Sequence, residues 1–271
     1  MEIPALQKTA KQIRSHILTM LAEAGSGHLG GSLGLADIFT ALYFDILNID
    51  PKKPKWENRD RLVLSIGHVA PVLYATLAQR GFFPAEELIT LRKMGSRLQG
   101  HASTQVPGVE VSTGSLGQGL SIAVGMALAA KKDKKPWRVF SIHGDGELQE
   151  GQIWEAAMSA GKFELNNLIA IVDRNKLQID GNTETVMPLE PLANKWLSFG
   201  WQVIETNGND MEAILLALRM SKQSEHKPTL IIANTLMGKG VKSIENNYEW
   251  HGKPPTKEEL KTFLSQLEST Y

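Results

Sequence analysis

Cysteine is absent from the 271 residues, which removes a disulfide framework, a thiolate metal site and a cysteine nucleophile together. Excess charge of one sign is missing as well. The 29 Lys and Arg balance 29 Asp and Glu, and the KKDKK stretch at 131–135 is too short for a counterion-releasing surface, so nucleic acid is excluded as a partner. No apolar run is long enough to span a bilayer. The opening MEIPALQKTAKQIRSHILTML carries charge throughout and has no apolar core with a small-residue cleavage site. A cytoplasmic protein with no membrane partner is therefore the expectation. Also lacking is any Pro/Gly/Ser linker, repeat or low-complexity block, so residues 1–271 are read as one domain.

What is present is a chain with 42% hydrophobic residues, enough to bury a large core. The runs RLVLSI (61–66), WRVFSI (137–142), NLIAIVD (167–173), WQVIET (201–206) and TLIIANT (229–235) are short, rich in Val and Ile and without clean alternation. That is the pattern of strands buried on both faces. Helical periodicity marks 5–24, 34–47, 70–80, 84–93, 117–132, 151–162 and 210–222, the last opened by an Asn209 or Asp210 cap, and a short helix is expected at 257–268. The glycine-rich GSGHLGG at 25–31 is read as a helix break. Alternating strands and helices predict an α/β fold, a mostly parallel sheet with helices on both faces.

In such a sheet ligands bind beyond the carboxyl ends of the strands. After the 137–142 strand comes HGDGELQEG, where Gly146 lets backbone approach a ligand and Asp145 offers a hard oxygen. After the 167–173 strand comes RNKLQIDG, with Asn175 offering another. Mg²⁺ takes about six oxygens, usually one or two side chains with phosphate and water. One Asp, one Asn and a backbone carbonyl leave room for a diphosphate. Either loop alone is ordinary turn chemistry; each closing a buried strand, with one helix between them, is a more specific pattern. Five of the seven histidines, His28, His68, His101, His143 and His251, adjoin a glycine. Imidazoles donate to hydroxyls and phosphates and move protons near neutral pH. GSLGQG (114–119) lacks the G-x-G-x-x-G order, which excludes a nicotinamide site. By itself Glu150 reads as a helix first-turn acid, and Lys239 and Lys242 as solvated loop charges.

GDG followed about thirty residues later by Asn is a thiamine-diphosphate motif. GDGELQEG, NNLIAIVDRNKLQIDG, GVEVSTGSLGQG (108–119) and GSGHLGGSLG (25–34) resemble transketolase signature segments, in that family's order and over nearly the whole chain. The resemblance implies thiamine diphosphate with Mg²⁺ (or Ca²⁺ or Mn²⁺), the metal held by Asp145, Asn175 and the Leu177 carbonyl. It implies Gly146 against the diphosphate, Ile179 as an apolar prop beneath the bent cofactor, and Gly114 and Leu116 beside the aminopyrimidine. The loops GSGH, SIGH, QGH and WHG resemble the family's active-site histidine loops, which assigns proton transfer and charge stabilisation to His28, His68, His101 and His251, with His68 and His251 also against the cofactor. Glu150 matches a subunit-interface glutamate with a proton-relay role. His143 stands where the family has an apolar residue and is read as structural.

No segment resembles the family's pyrimidine-binding domain, which supplies the glutamate that activates the cofactor and the arginines that grip the sugar phosphate. The expectation is therefore the N-terminal subunit of a split transketolase. With a separate C-terminal subunit, as two copies of each, it would move a two-carbon ketol unit from a ketose (phosphate) to an aldose (phosphate). His28-Leu29 and His101-Ala102-Ser103 depart from the usual family sequence and leave the sugar open. The α subunit of a thiamine-dependent 2-oxoacid dehydrogenase is the first rival, but it does not predict the SIGH, QGH and WHG loops together. A non-catalytic fold relative is the second, opposed by the retained Asp145, Asn175, Glu150 and histidines.

Overall fold

Each of the five apolar runs forms a strand in the computed structural model, which describes residues 1–270 and leaves Tyr271 of the single-domain expectation outside the described residues. In chain order the strands are β1 (Arg61–Leu64), β2 (Val139–Gly144), β3 (Leu168–Arg174), the short β4 (Leu177–Gln178) and β5 (Gly181–Asn182), then β6 (Gln202–Asn207) and β7 (Thr229–Asn234). Five of them make one sheet in the order β1-β2-β3-β7-β6, with every neighbouring pair parallel. β4 and β5 pair antiparallel as a separate ribbon.

The helices are α1 (Ile3–Ala24), α2 (Gly30–Gly34), α3 (Ala36–Ala41), α4 (Ala70–Arg80), α5 (Gln118–Lys132), α6 (Gly151–Lys162), α7 (Thr183–Val186), α8 (Leu192–Ser198), α9 (Met211–Ser221) and α10 (Lys257–Thr270). Side chains alternate across a strand, and β3 shows the result. Ile169 and Ile171 join the core under α1, α3, α4 and α9, while Leu168, Ala170 and Val172 join the core under α5, α6 and α8. Both faces are covered, which is why these strands read as continuous apolar runs.

Three local expectations needed correction. Helix resumes at Gly30 rather than Gly34, because α2 presses on the loop after β7: a Cβ on Gly30 would lie 2.6 Å from Met237. Glycine there serves close packing, not a break. The 34–47 helix is α3 followed by a π-helical turn at Leu42–Ile46. The 84–93 segment is only a 3₁₀ turn, Ala85–Thr90, since Arg92 at φ +60° takes the chain out of helical space. Of the two cap candidates, Asp210 caps α9 by accepting from Ala213 N at 3.0 Å. Asn209 instead donates to Gly34 O and to Asp37 Oδ2, both at 2.9 Å. Asp37 also takes a two-pronged bond from the buried Arg14 at 3.0 and 2.6 Å, so α1, α3 and the approach to α9 are pinned together.

Candidate active site

The loops following β1, β2 and β3 open on one pocket of about 390 Å³, to which the loop after β7 adds His251. β2 ends in Gly144 and delivers Asp145, which is 2% exposed. Asp145 Oδ1 accepts from Gly146 N at 2.8 Å, and Oδ2 accepts from Lys176 N at 2.6 Å and Arg174 Nη1 at 3.1 Å. Lys176 can reach because it sits at φ +64°. β3 ends in Arg174 and delivers Asn175, whose Oδ1 accepts from Leu177 N at 2.9 Å and whose Nδ2 donates to Asp173 Oδ2 at 2.8 Å. Thr235 Oγ1 donates to the other Asp173 oxygen.

Two buried carboxylates thus face the same pocket. Burial raises the Asp145 pKa against the pull of Lys176 N and Arg174. Burial, with the neighbouring Asp145 charge, pushes Asp173 up to about 7. A cation beside them would favour both ionised forms. Among the described residues no three His, Cys, Asp or Glu side chains could hold a metal by themselves. The donors present instead fit a small hard cation shared with a diphosphate: one carboxylate, one carboxamide and backbone.

Across the pocket three imidazoles form a triangle, with ring centroids 4.6 Å apart for His28 and His68, 5.6 Å for His28 and His251, and 5.4 Å for His68 and His251. Burial lowers all three pKa values, His28 to about 4 and His68 to about 3, with neighbouring histidines adding to the effect at His28 and His68 and Arg92 at His28. At neutral pH each ring is an uncharged donor and acceptor. His28 Nδ1 and His251 Nδ1 are buried with no hydrogen-bond partner among the described residues, which suits hydroxyl or phosphate oxygens of a bound molecule.

The chain matches the family model described as transketolase, thiamine diphosphate binding domain, over residues 5–269. It belongs to the transketolase family. Over 267 residues it is 46% identical to one of the named subunits of the apulose-4-phosphate transketolase of Phocaeicola vulgatus, covering 98% of this chain and 95% of the relative. Over 264 residues it is 47% identical to the 6-deoxy-6-sulfo-D-fructose transketolase subunit SqwG of a Clostridium species, covering 97% and 96%. The fold superposes on the crystal structure of Campylobacter jejuni transketolase with a TM-score of 0.93 at 38% identity, covering 99% of this chain and 43% of that one. The chain thus spans less than half of the solved transketolase it matches.

Within this transketolase-family pocket lie His28, His68, Leu116, Asp145, Gly146, Glu150, Asn175, Leu177, Ile179 and His251, ten of the positions singled out from sequence. Two of the singled-out positions are not among its lining residues. His101 is exposed and stands beside Gly67, close enough to lower the His28 and His68 pKa values by its charge. Gly114 is exposed beside His101. Glu150 is exposed at the N-cap of α6 and makes no capping bond. Ile179 is 65% exposed at the pocket's edge. His143 is fully buried beneath the pocket, with Nε2 2.9 Å from Ser141 Oγ.

Sequence reasoning missed Asp173 and Glu147, which both line the pocket. Asp173 carried a signal, a carboxylate near the end of a buried strand beside Asn175. Glu147 carried none, because an acid just after GDG reads as an ordinary helix-entry residue.

Proposed function

We propose that this chain is the cofactor-anchoring N-terminal subunit of a two-component transketolase, moving a two-carbon ketol unit from a ketose (phosphate) to an aldose (phosphate) with thiamine diphosphate and Mg²⁺ (or Ca²⁺ or Mn²⁺). The observation that carries it is the meeting, in one pocket, of the Asp145–Asn175 oxygen donors with three uncharged imidazoles. Two relatives named as transketolase subunits match along 95% and 96% of their own length, which supports the division into subunits. One is named for a sugar phosphate and the other for a sulfosugar, which supports a ketose with a terminal anionic group.

In this reading residues 1–271 are one diphosphate-binding domain. Asp145, Asn175 and the Leu177 carbonyl would hold the metal, Gly146 would serve the diphosphate, and Gly114, Leu116 and Ile179 would serve the rings of the cofactor. Thiamine diphosphate, when bound, would supply the nucleophilic carbon that ketol transfer needs. His28, His68, His101 and His251 bind the sugar hydroxyls and move protons at its carbonyl oxygen. Glu150, whose side chain makes no capping bond, relays a proton at the subunit boundary. The partner is a separate C-terminal subunit carrying the pyrimidine domain, with two copies of each in the assembly. An anionic sugar such as those for which the two relatives are named does not cross membranes unaided, which supports a cytoplasmic pair.

The test is to assay the purified chain with and without that partner, supplying a ketose phosphate, an aldose phosphate, thiamine diphosphate and Mg²⁺. Ketol transfer is expected from the pair alone, and Asp145→Ala should remove Mg²⁺-dependent cofactor binding in calorimetry. Turnover by the lone pure chain would overturn the division of labour. Oxidative decarboxylation of a 2-oxoacid without ketol transfer would overturn the reaction.

A further inference from the structure

Glu147 lies one residue beyond the GDG turn and is 2% exposed, yet no step proposed above uses it. A carboxylate kept from water must fill its lone pairs with donors, and the source of those donors is the informative point. Oε1 accepts from Ser65 Oγ and from Gly117 N at 2.8 Å. Oε2 accepts from Gly144 N at 3.2 Å and lies 3.3 Å from His143 Nδ1. Ser65 follows β1 in the segment carrying Ile66 and His68, Gly117 follows Leu116 at the start of α5, and Gly144 precedes Asp145 at the end of β2. One side chain therefore bonds to all three segments that bring His68, Leu116 and Asp145 to the pocket.

The Ser65 hydroxyl extends the tie by accepting from Gly119 N at 3.1 Å. That contact needs glycine: a Cβ on Gly119 would fall 2.4 Å from the Ser65 side chain. The bonds are also well shielded, since His143 and Ser141 are fully buried beside them and exclude water. A bond network in a dry setting fixes geometry more firmly than the same bonds at the surface.

We infer that Glu147 is a positioning residue that sets the spacing of the β1, β2 and α5 loops around the pocket, and through them the distance between the Asp145 oxygens, Leu116 and His68. The inference rests on the cofactor reading of that pocket only for its functional consequence; the tie between loops is independent of any ligand. The histidine beneath the site, His143, acts with Glu147 as its buried neighbour.

Two variants test it, Glu147→Ala and the near-isosteric Glu147→Gln, with amide hydrogen exchange followed residue by residue in the ligand-free chain. In Glu147→Ala the Gly117 and Gly144 amides should both exchange at least about tenfold faster, a change of about 1.4 kcal/mol in protection. Glu147→Gln keeps one carbonyl oxygen for Ser65 and Gly117 but turns an NH₂ toward Gly144 N–H. It should therefore speed Gly144 and spare Gly117, a separation that general destabilisation would not produce. It also serves if the alanine variant does not fold. Calorimetry with thiamine diphosphate and Mg²⁺ on the reconstituted pair is the second arm, where Glu147→Ala should weaken binding about tenfold and Glu147→Gln less.

Gly117 and Gly144 exchanging as in the wild type, or both speeding equally in Glu147→Gln, would overturn the inference. So would wild-type affinity in Glu147→Ala when the unaltered pair binds cofactor. If the unaltered pair binds none, the cofactor reading fails and the exchange arm still decides whether Glu147 sets the loops.

Discussion

The two walls of the pocket solve the burial of polar groups in opposite ways. On the wall built by β2 and β3, the carboxylates of Asp145 and Asp173 and the Asn175 carboxamide all have partners within the chain. On the other wall, His28 Nδ1 and His251 Nδ1 have none among the described residues. A buried polar group without a partner costs about 1–3 kcal/mol, so the first wall is set in advance and the second is left to be satisfied by what binds. Under the proposed function, this difference would give the holding of the cofactor to one wall and the exchange of sugars to the other.

The comparison breaks most sharply at Arg174. Its side chain is 2% exposed and binds Asp145, Thr183, Glu184 and Glu190, with Glu184 and Glu190 half in water. Arg174→Leu strips Asp145 of its buried counter-charge and frees the 183–190 segment. Losing one partner of a buried pair costs about 3–5 kcal/mol, and the lower end is expected here because two of the three carboxylates reach solvent. Urea unfolding of the ligand-free chain measures it, and a loss below about 1 kcal/mol would mean that the first wall is not held by Arg174.

The second wall is sharpened by pH. His68 has its pKa lowered from 6.5 to about 3. The unfolded chain takes up a proton below pH 6.5 while the folded chain does not until about 3, so this contribution to stability is intact above 6.5 and is lost as pH falls through that window. The loss is at most about 1.4 kcal/mol per pH unit for one group. Asp173 runs the other way. Between 3.8 and about 7 its folded form keeps a proton that the unfolded chain has released, and stability from this group grows as pH drops. The walls therefore offset each other under mild acid. His68→Gln should raise the stability at pH 5 relative to that at pH 7 by at least about 1 kcal/mol over the unaltered chain; an unchanged difference would show that His68 titrates normally in the folded chain.

Sequence and structure agree best where pattern follows from geometry. The five strands were legible because two-sided burial forces continuous apolar runs, and Asp145 and Asn175 were legible because ligand loops follow strand ends. The β4–β5 ribbon and α7 were not expected, since no apolar periodicity marks 177–191 and the segment is held instead by polar bonds to Arg174. Glu147 stayed hidden for the same reason, because its meaning lies in partners 82 and 30 positions away along the chain. The Gly30 helix was misread because glycine for close packing and glycine for a break look alike in sequence.

The smallest expected effect falls on Ile179, and it separates the chain alone from the chain with its partner. With 65% of its surface in water, Ile179 adds little to the isolated fold. Ile179→Ser should change the stability of the lone chain by less than about 0.5 kcal/mol. An apolar side chain kept at the edge of a polar site still loses its contact with water when covered, a gain of about 1.5–3 kcal/mol on full burial. If cofactor and partner cover it, the same substitution should weaken thiamine diphosphate binding by the pair about tenfold, the lower end of that range. Calorimetry on both forms makes the comparison. Destabilisation of the lone chain by more than about 1 kcal/mol, with binding by the pair intact, would make Ile179 part of the fold rather than of the site.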